Sequence, residues 1–253
     1  MVGTFLALAA GQLLIGWTDI TSFAPFNGIA MLFAIALVIV CMTRAEPPQL
    51  QPTETLPYGR LSRTAPIAVL GCVVSGLISS AFYALIPAWM QSEGIDQSRI
   101  GLIMLVAVFG GLAFQIPVGG LSDRFDRRIV LAGISLGLVV TAGALVLLPH
   151  TLPIILPAAI LFGGCMSTLY PLCVAHAHDR MPADLVVAVS SRLILVSGIG
   201  LVVGPFIGTM IMTLLGLDGI FYWLSWRWLL VSAIADSCDA RRLPWTWRSL
   251  TAG

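Results

Sequence analysis

The stretch Gly119-Gly120-Leu121-Ser122-Asp123-Arg124-Phe125-Asp126-Arg127-Arg128 packs two carboxylates and three guanidiniums into one short run. Its glycines suit a tight turn and close approach of two helices. Asp123 can accept from Arg124 or Arg127, or sit against the positive N-terminus of a neighbouring helix. Such a cluster can hold one arrangement of a moving bundle and be released in another. Four further side chains could line a path. Arg192 is the ionisable residue placed well inside a long apolar run, where a charge is costly. A snorkelling side chain is the competing reading, because Arg192 lies within partial reach of the run's polar end. Gln115 precedes Pro117 in another apolar run and can contact a substrate or bond one helix to another. Tyr83 and Tyr170, near Pro87 and Pro171, serve either the path or packing and interfacial belts.

Other patterns point to less chemistry. His176, His178 and Asp179 read as a solvated loop, since residues two apart on a helix face different ways and no metal set is completed. The run Gly200, Gly204, Pro205, Gly208 fits either close helix packing or a kinked gating helix. Its G-x-G is no dinucleotide loop, because no strand precedes it. The five cysteines include no C-x-x-C pair and read as small buried hydrophobes. No Walker loop, H-E-x-x-H or G-x-S-x-G is present, so neither catalytic residues nor a cofactor are expected.

The elements that must hold these residues are set by composition. Of 253 residues, 58% are apolar and only 10% charged, with a mean hydropathy of +0.98. Soluble domains carry about 25% charged residues. A disordered chain, a nucleic-acid binder and an ordinary soluble enzyme are excluded; the bilayer is the expected partner. Apolar runs fall at about 1–16, 24–42, 65–89, 99–118, 129–148, 152–174, 185–215 and 220–235, the third broken near Pro87. Each approaches the length of about 20 residues that a membrane helix needs. The runs lack barrel alternation, so an all-α polytopic membrane protein of about eight helices is predicted. All the basic residues are arginines. Arg44, Arg60 and Arg63, then Arg124, Arg127 and Arg128, then Arg180, then Arg241, Arg242 and Arg248 share one side, against Arg99 on the other. That bias places the first group and both termini in the cytoplasm.

Residues 119–128 resemble the signature loop of the major facilitator superfamily, G-x-L-x-D-R-x-G-R-[KR]. Gly119, Leu121, Asp123, Arg124, Arg127 and Arg128 match, and Asp126 stands where the family has Gly. Tyr83-x-x-x-Pro87, Leu169-Tyr170-Pro171 and Gly200-x-x-x-Gly204-Pro205-x-x-Gly208 resemble poorly characterised bacterial permeases of that superfamily. The resemblance covers about residues 1–220. It implies an inner-membrane secondary transporter working by alternating access, with the six matching loop residues as a conformational latch. It also implies a division into 1–42 (the last two helices of an N-terminal half), a proline-rich cytoplasmic linker 43–64, a six-helix half 65–235 and an atypical tail 236–253. The tail is either a Trp-rich interfacial segment or the product of a shifted frame. On this alignment four helices would precede Met1, supplied otherwise by a partner or another copy; a fragment that does not transport is the rival expectation, with a membrane-embedded enzyme or a receptor as remoter ones. The substrate is an unidentified small molecule, with proton coupling left open. Gly11-Gln12-Leu13-Leu14-Ile15-Gly16 is a faded counterpart of the run at 200–208.

Overall fold

A helix is the simplest segment that satisfies its own backbone hydrogen bonds in hydrocarbon, and the chain uses it throughout. The computed structural model describes residues 7–12, 22–42, 57–148, 151–216 and 219. Among these the elements are α1 (Ala24–Met42), α2 (Tyr58–Thr64), α3 (Pro66–Ser92), α4 (Gln97–Arg124), α5 (Arg127–Leu147), α6 (Leu152–His178), a 3-10 turn (Ala183–Leu185) and α7 (Val186–Leu215). All the α-helices but α2 are long and apolar enough to span a bilayer. They coincide with six of the eight apolar runs. Residues 7–12 of the first run are helical. The rest of that run, residues 220–235 and the tail lie outside the described residues.

Three helix ends differ from the sequence reading. The expected break at Pro87 is absent, and α3 continues to Ser92; Pro117, Pro157, Pro171 and Pro205 are likewise inside helices. Neighbouring helices shelter the backbone groups a proline frees. At the arginine-rich end, α4 and α6 also outrun their apolar stretches, because hydropathy stops at the membrane surface while the backbone hydrogen-bond ladder does not.

The other end shows how a helix is stopped. Gly94 takes φ +75°, its N–H donates to the Gln91 carbonyl (3.1 Å), and the Ile95 N–H donates to the Met90 carbonyl (3.0 Å). This is a Schellman ending, and it needs a left-handed residue at Gly94. Asp96 then caps α4 by accepting from the Ser98 amide at 3.2 Å. The Ser98 hydroxyl and amide hold the Asp96 carboxyl below the usual carboxylate range, so its stabilising contribution is lost as pH falls through that lowered value.

Packing sorts the spans. α3 lies mainly against α7, and α4 against α6, while α6 also carries α5 and touches α3. α6 is the most buried span and α1 the least, with Pro25 its one buried residue among those described. The two major crossings share one geometry. A Cβ at Gly76 would lie 2.2 Å from the Ser197 carbonyl oxygen, and one at Gly200 would lie 2.1 Å from that of Val73. In the second crossing, a Cβ at Gly110 would lie 2.2 Å from the Ile160 oxygen, and one at Gly163 would lie 2.1 Å from that of Ala107. Each glycine thus meets the carbonyl three residues before its partner glycine. The sequence interval from Gly76 to Gly163 also separates Tyr83 from Tyr170. The crossings therefore read as two copies of one unit, as expected for an internal repeat.

The stripe Gly200, Gly204, Gly208 is buried on the face of α7 that meets α3. Lipid tails supply no hydrophobic drive between helices, so this backbone-to-backbone approach is what association rests on. Gly76→Val or Gly200→Val should force backbones apart and cost about 1–3 kcal/mol, seen as a lower melting temperature in detergent. Gly119→Ala, where a Cβ meets nothing within 4 Å and alanine favours the helix, should melt no lower than the parent.

Candidate functional site

The charged segment is built on helix ends. α4 runs through Gly119, Gly120, Leu121, Ser122, Asp123 and Arg124, and only Phe125 and Asp126 separate it from α5. The glycines therefore do not make the turn, contrary to the sequence expectation; they continue the helix and face open space. The corner is made by capping. The Phe125 N–H donates to the Leu121 carbonyl at 2.9 Å, and the Asp126 carboxylate accepts from the Arg128 N–H at 2.9 Å. An aspartate at this N-cap satisfies an amide that has no intrahelical partner.

Arg127 starts α5 and reaches two carboxylates. Its Nε lies 2.5 Å from Asp179 Oδ2, and its Nη2 lies 3.9 Å from Asp123 Oδ1. The Arg127 side chain is 25% exposed, Asp179 51% and Asp123 75%. Asp179 is the C-cap residue of α6, so one guanidinium ties the α4–α5 corner to the end of α6. The neighbouring His178 Nε2 lies 2.9 Å from Ser190 Oγ on α7, and His176 is buried. The expectation of a solvated loop at 176–179 is thus corrected: the segment is the last turn of α6, fastened on two sides. Half-exposed ion pairs are worth at most about 1 kcal/mol each. The Arg127 contacts set position, and they break at little cost.

Directly inside this cluster, between α4 and α6, is a cavity of about 290 Å³. It lies beyond the close crossing at Gly110 and Gly163, where Pro117 and Pro171 each remove one backbone donor from a continuous helix. Gln115, Ser122, Asp123, Arg127 and Thr168 give it polar groups, and Val118, Leu172 and Ala175 give it apolar wall. Gln115 Nε2 and Ser122 Oγ are buried and have no hydrogen-bond partner among the described residues. Thr168 donates back to the Gly164 carbonyl at 3.0 Å.

Residues 68–235 match the family model of the Major Facilitator Superfamily. The chain belongs to this superfamily. Among its curated relatives are the uncharacterized MFS-type transporter YcaD of Escherichia fergusonii, 32% identical over 83% of this chain and 54% of the relative. The uncharacterized MFS-type transporter Ent638_1421 of Enterobacter sp. strain 638 is also 32% identical, with the same coverage. YcaD of Shigella flexneri is 30% identical over that extent. The chain spans about half the length of these relatives. As a superfamily member with six bilayer-length helices, it is a multi-pass membrane protein.

Of the residues singled out in sequence, the superfamily loop contributes Gly119, Asp123 and Arg127 to the cavity wall, and Gln115 joins them. Leu121 and Arg124 are exposed beside it, and Arg128 is half-buried at the start of α5. Tyr83 and Tyr170 pack half-buried against the core, away from this cavity; Tyr83 stands edge-on to Phe82 at 5.3 Å. The Arg192 guanidinium lies 4.5 Å from the centre of the Tyr58 ring, joining α7 to α2. Four contributors were missed. Ser122 follows Gln115 by two helical turns on one face, a spacing that could have found it. Asp126 precedes a helix start, as a cap does. Asp179 is an acid on the arginine-rich side with no assigned partner. Thr168 gives no signal beyond its polarity. Among the described residues, no three His, Cys, Asp or Glu side chains form a metal-holding group.

Asp179→Asn should leave Arg127 to Asp123 alone. Trypsin should then cut after Arg127 several-fold faster, while overall stability falls by less than about 1 kcal/mol. Cleavage at the parent rate would show that Asp179 does not hold the corner.

Proposed function

We propose that this chain serves secondary transport of a small molecule by alternating access. It would sit in the bacterial inner membrane with its arginine-rich helix ends and both termini in the cytoplasm. The observation that carries the reading is the grip of Arg127 on both Asp123 and Asp179. It joins three helix ends through weak, reversible contacts, as a latch between two arrangements must. Superfamily membership and relatives named as transporters support carriage rather than catalysis. Gly119, Leu121, Asp123, Arg124, Arg127 and Arg128 form the latch. Gln115 lines the path where α4 and α6 part. Arg192, Tyr83 and Tyr170 remain proposed path residues, acting on faces other than this cavity. Gly200, Gly204, Pro205 and Gly208 are kept as the proposed gating run of α7, bending at Pro205, where one backbone hydrogen bond is lost, while Gly200 stays seated on α3.

The division into 1–42, 43–64, 65–235 and 236–253 is kept as part of this proposal. The open side of α4 at Gly119 and Gly120 leaves room for a helix from another half, whether a preceding segment or a second copy. In either case the latch would close against it.

A flux screen in proteoliposomes, on this chain and on a full-length relative, tests the reading. Saturable uptake is expected, and Asp123→Asn should lower it about tenfold, equal to about 1.4 kcal/mol, with membrane insertion unchanged. Absence of saturable flux from both proteins would overturn transport, and unaltered kinetics in Asp123→Asn would overturn the latch. Orientation is tested separately. Ser62→Cys, on exposed α2, should react with an impermeant maleimide in inverted vesicles and not in intact cells; the opposite pattern would reverse the proposed topology.

A further inference from the structure

The cavity between α4 and α6 is unevenly provided with charge and hydrogen-bond donors. At its mouth are one carboxylate and one guanidinium, Asp123 and Arg127. Arg127 is engaged by Asp179 at 2.5 Å, whereas its contact with Asp123 is long, at 3.9 Å, and Asp123 is three-quarters exposed. The charge left available to a ligand is therefore negative. Farther in, the polarity is of the other kind. Ser122 is only 5% exposed, its hydroxyl has no partner among the described residues, and the buried Gln115 amide nitrogen has none either. Both offer a hydrogen to an acceptor, and leaving such groups buried and unpaired costs free energy that a suitable ligand would relieve. Val118, Leu172 and Ala175 supply apolar surface for the rest of a small molecule.

We infer that this cavity binds a small organic cation that also carries a hydrogen-bond acceptor oxygen. The cationic nitrogen sits at Asp123, the oxygen at Ser122 and Gln115, and the carbon body lies against Val118 and Leu172. A bound cation competes with Arg127 for Asp123, so occupancy weakens one arm of the latch and leaves the Asp179 arm in place. This deepens the transport reading, on which any role in carriage rests; the binding itself stands on the cavity alone.

The test is calorimetric titration of the full 253-residue chain in phosphatidylcholine nanodiscs. Three probes of similar shape are used. Acetylcholine has both charge and acceptor. Its uncharged carbon isostere, 3,3-dimethylbutyl acetate, lacks the charge, and pentyltrimethylammonium lacks the acceptor. Acetylcholine should bind about tenfold tighter than either of the others, a ratio that corresponds to about 1.4 kcal/mol. Asp123→Asn should erase its advantage over the uncharged ester. The double variant Ser122→Ala with Gln115→Leu should erase its advantage over the alkylammonium. Ala175→Leu, which narrows the cavity without touching a polar group, should weaken all three and gives a second route if the double variant does not fold. Equal binding of the charged and uncharged esters, preferences that survive the substitutions, or no binding of any probe would overturn the proposal. Binding without flux in the transport screen would retain the site and overturn carriage; flux without this binding would overturn the site alone.

Discussion

Helices in hydrocarbon gain no free energy from hiding apolar surface from one another, because the lipid is as apolar as they are. What remains is close van der Waals approach, and in this chain it is concentrated where glycines meet carbonyl oxygens. At Gly76 with Gly200, and at Gly110 with Gly163, the backbones touch with no room for a Cβ. Those two crossings fix α3 on α7 and α4 on α6. The rest of the bundle follows from them, since α5 is carried by α6, and α6 reaches α3 through the space the crossings leave.

A tight waist determines what happens at the helix ends. α4 and α6 are held together at Gly110 and Gly163 and carry Pro117 and Pro171 farther along, and between their arginine-rich ends a cavity is left. A proline removes one rung of the helical ladder, so both walls of the cavity are made of helix that bends more easily than the waist. Arg127 spans the mouth. It lies 2.5 Å from Asp179 and 3.9 Å from Asp123, with both carboxylates half or more in water. Two kinds of contact are thus separated along one pair of helices: backbone contact in the middle, ionic contact at the end.

The fold was legible in the sequence to the extent that it depends on length and apolarity. Six runs became six bilayer-length helices for that reason. What the sequence hid was where helices end and which distant residues meet. α4 was expected to stop near residue 118, yet it continues to Arg124, because water-facing residues keep backbone hydrogen bonds as well as buried ones do. Asp126 read only as a departure from the family's glycine; it is a helix cap, a role visible only once the start of α5 is known. Asp123 and Arg127 were readable as a pair because they are four residues apart. Asp179 was not, because its closeness to Arg127 depends on how α6 packs. Arg192 was judged by depth along one run, whereas its neighbour Tyr58 belongs to a different segment. The cavity could not be read at all, since its walls come from α4 and α6, with Arg127 of the intervening α5 at the mouth.

The seating of α2 has a consequence for how force passes through such a molecule. Leu61 is fully enclosed, and Tyr58 lies under the Arg192 guanidinium, so the seven residues ahead of α3 are bolted to α7 as well. Tyr58 therefore heads a short helix that is tied to two others. A displacement of Tyr58 is delivered to α3 along the chain and to α7 through Arg192, eight residues ahead of the crossing at Gly200.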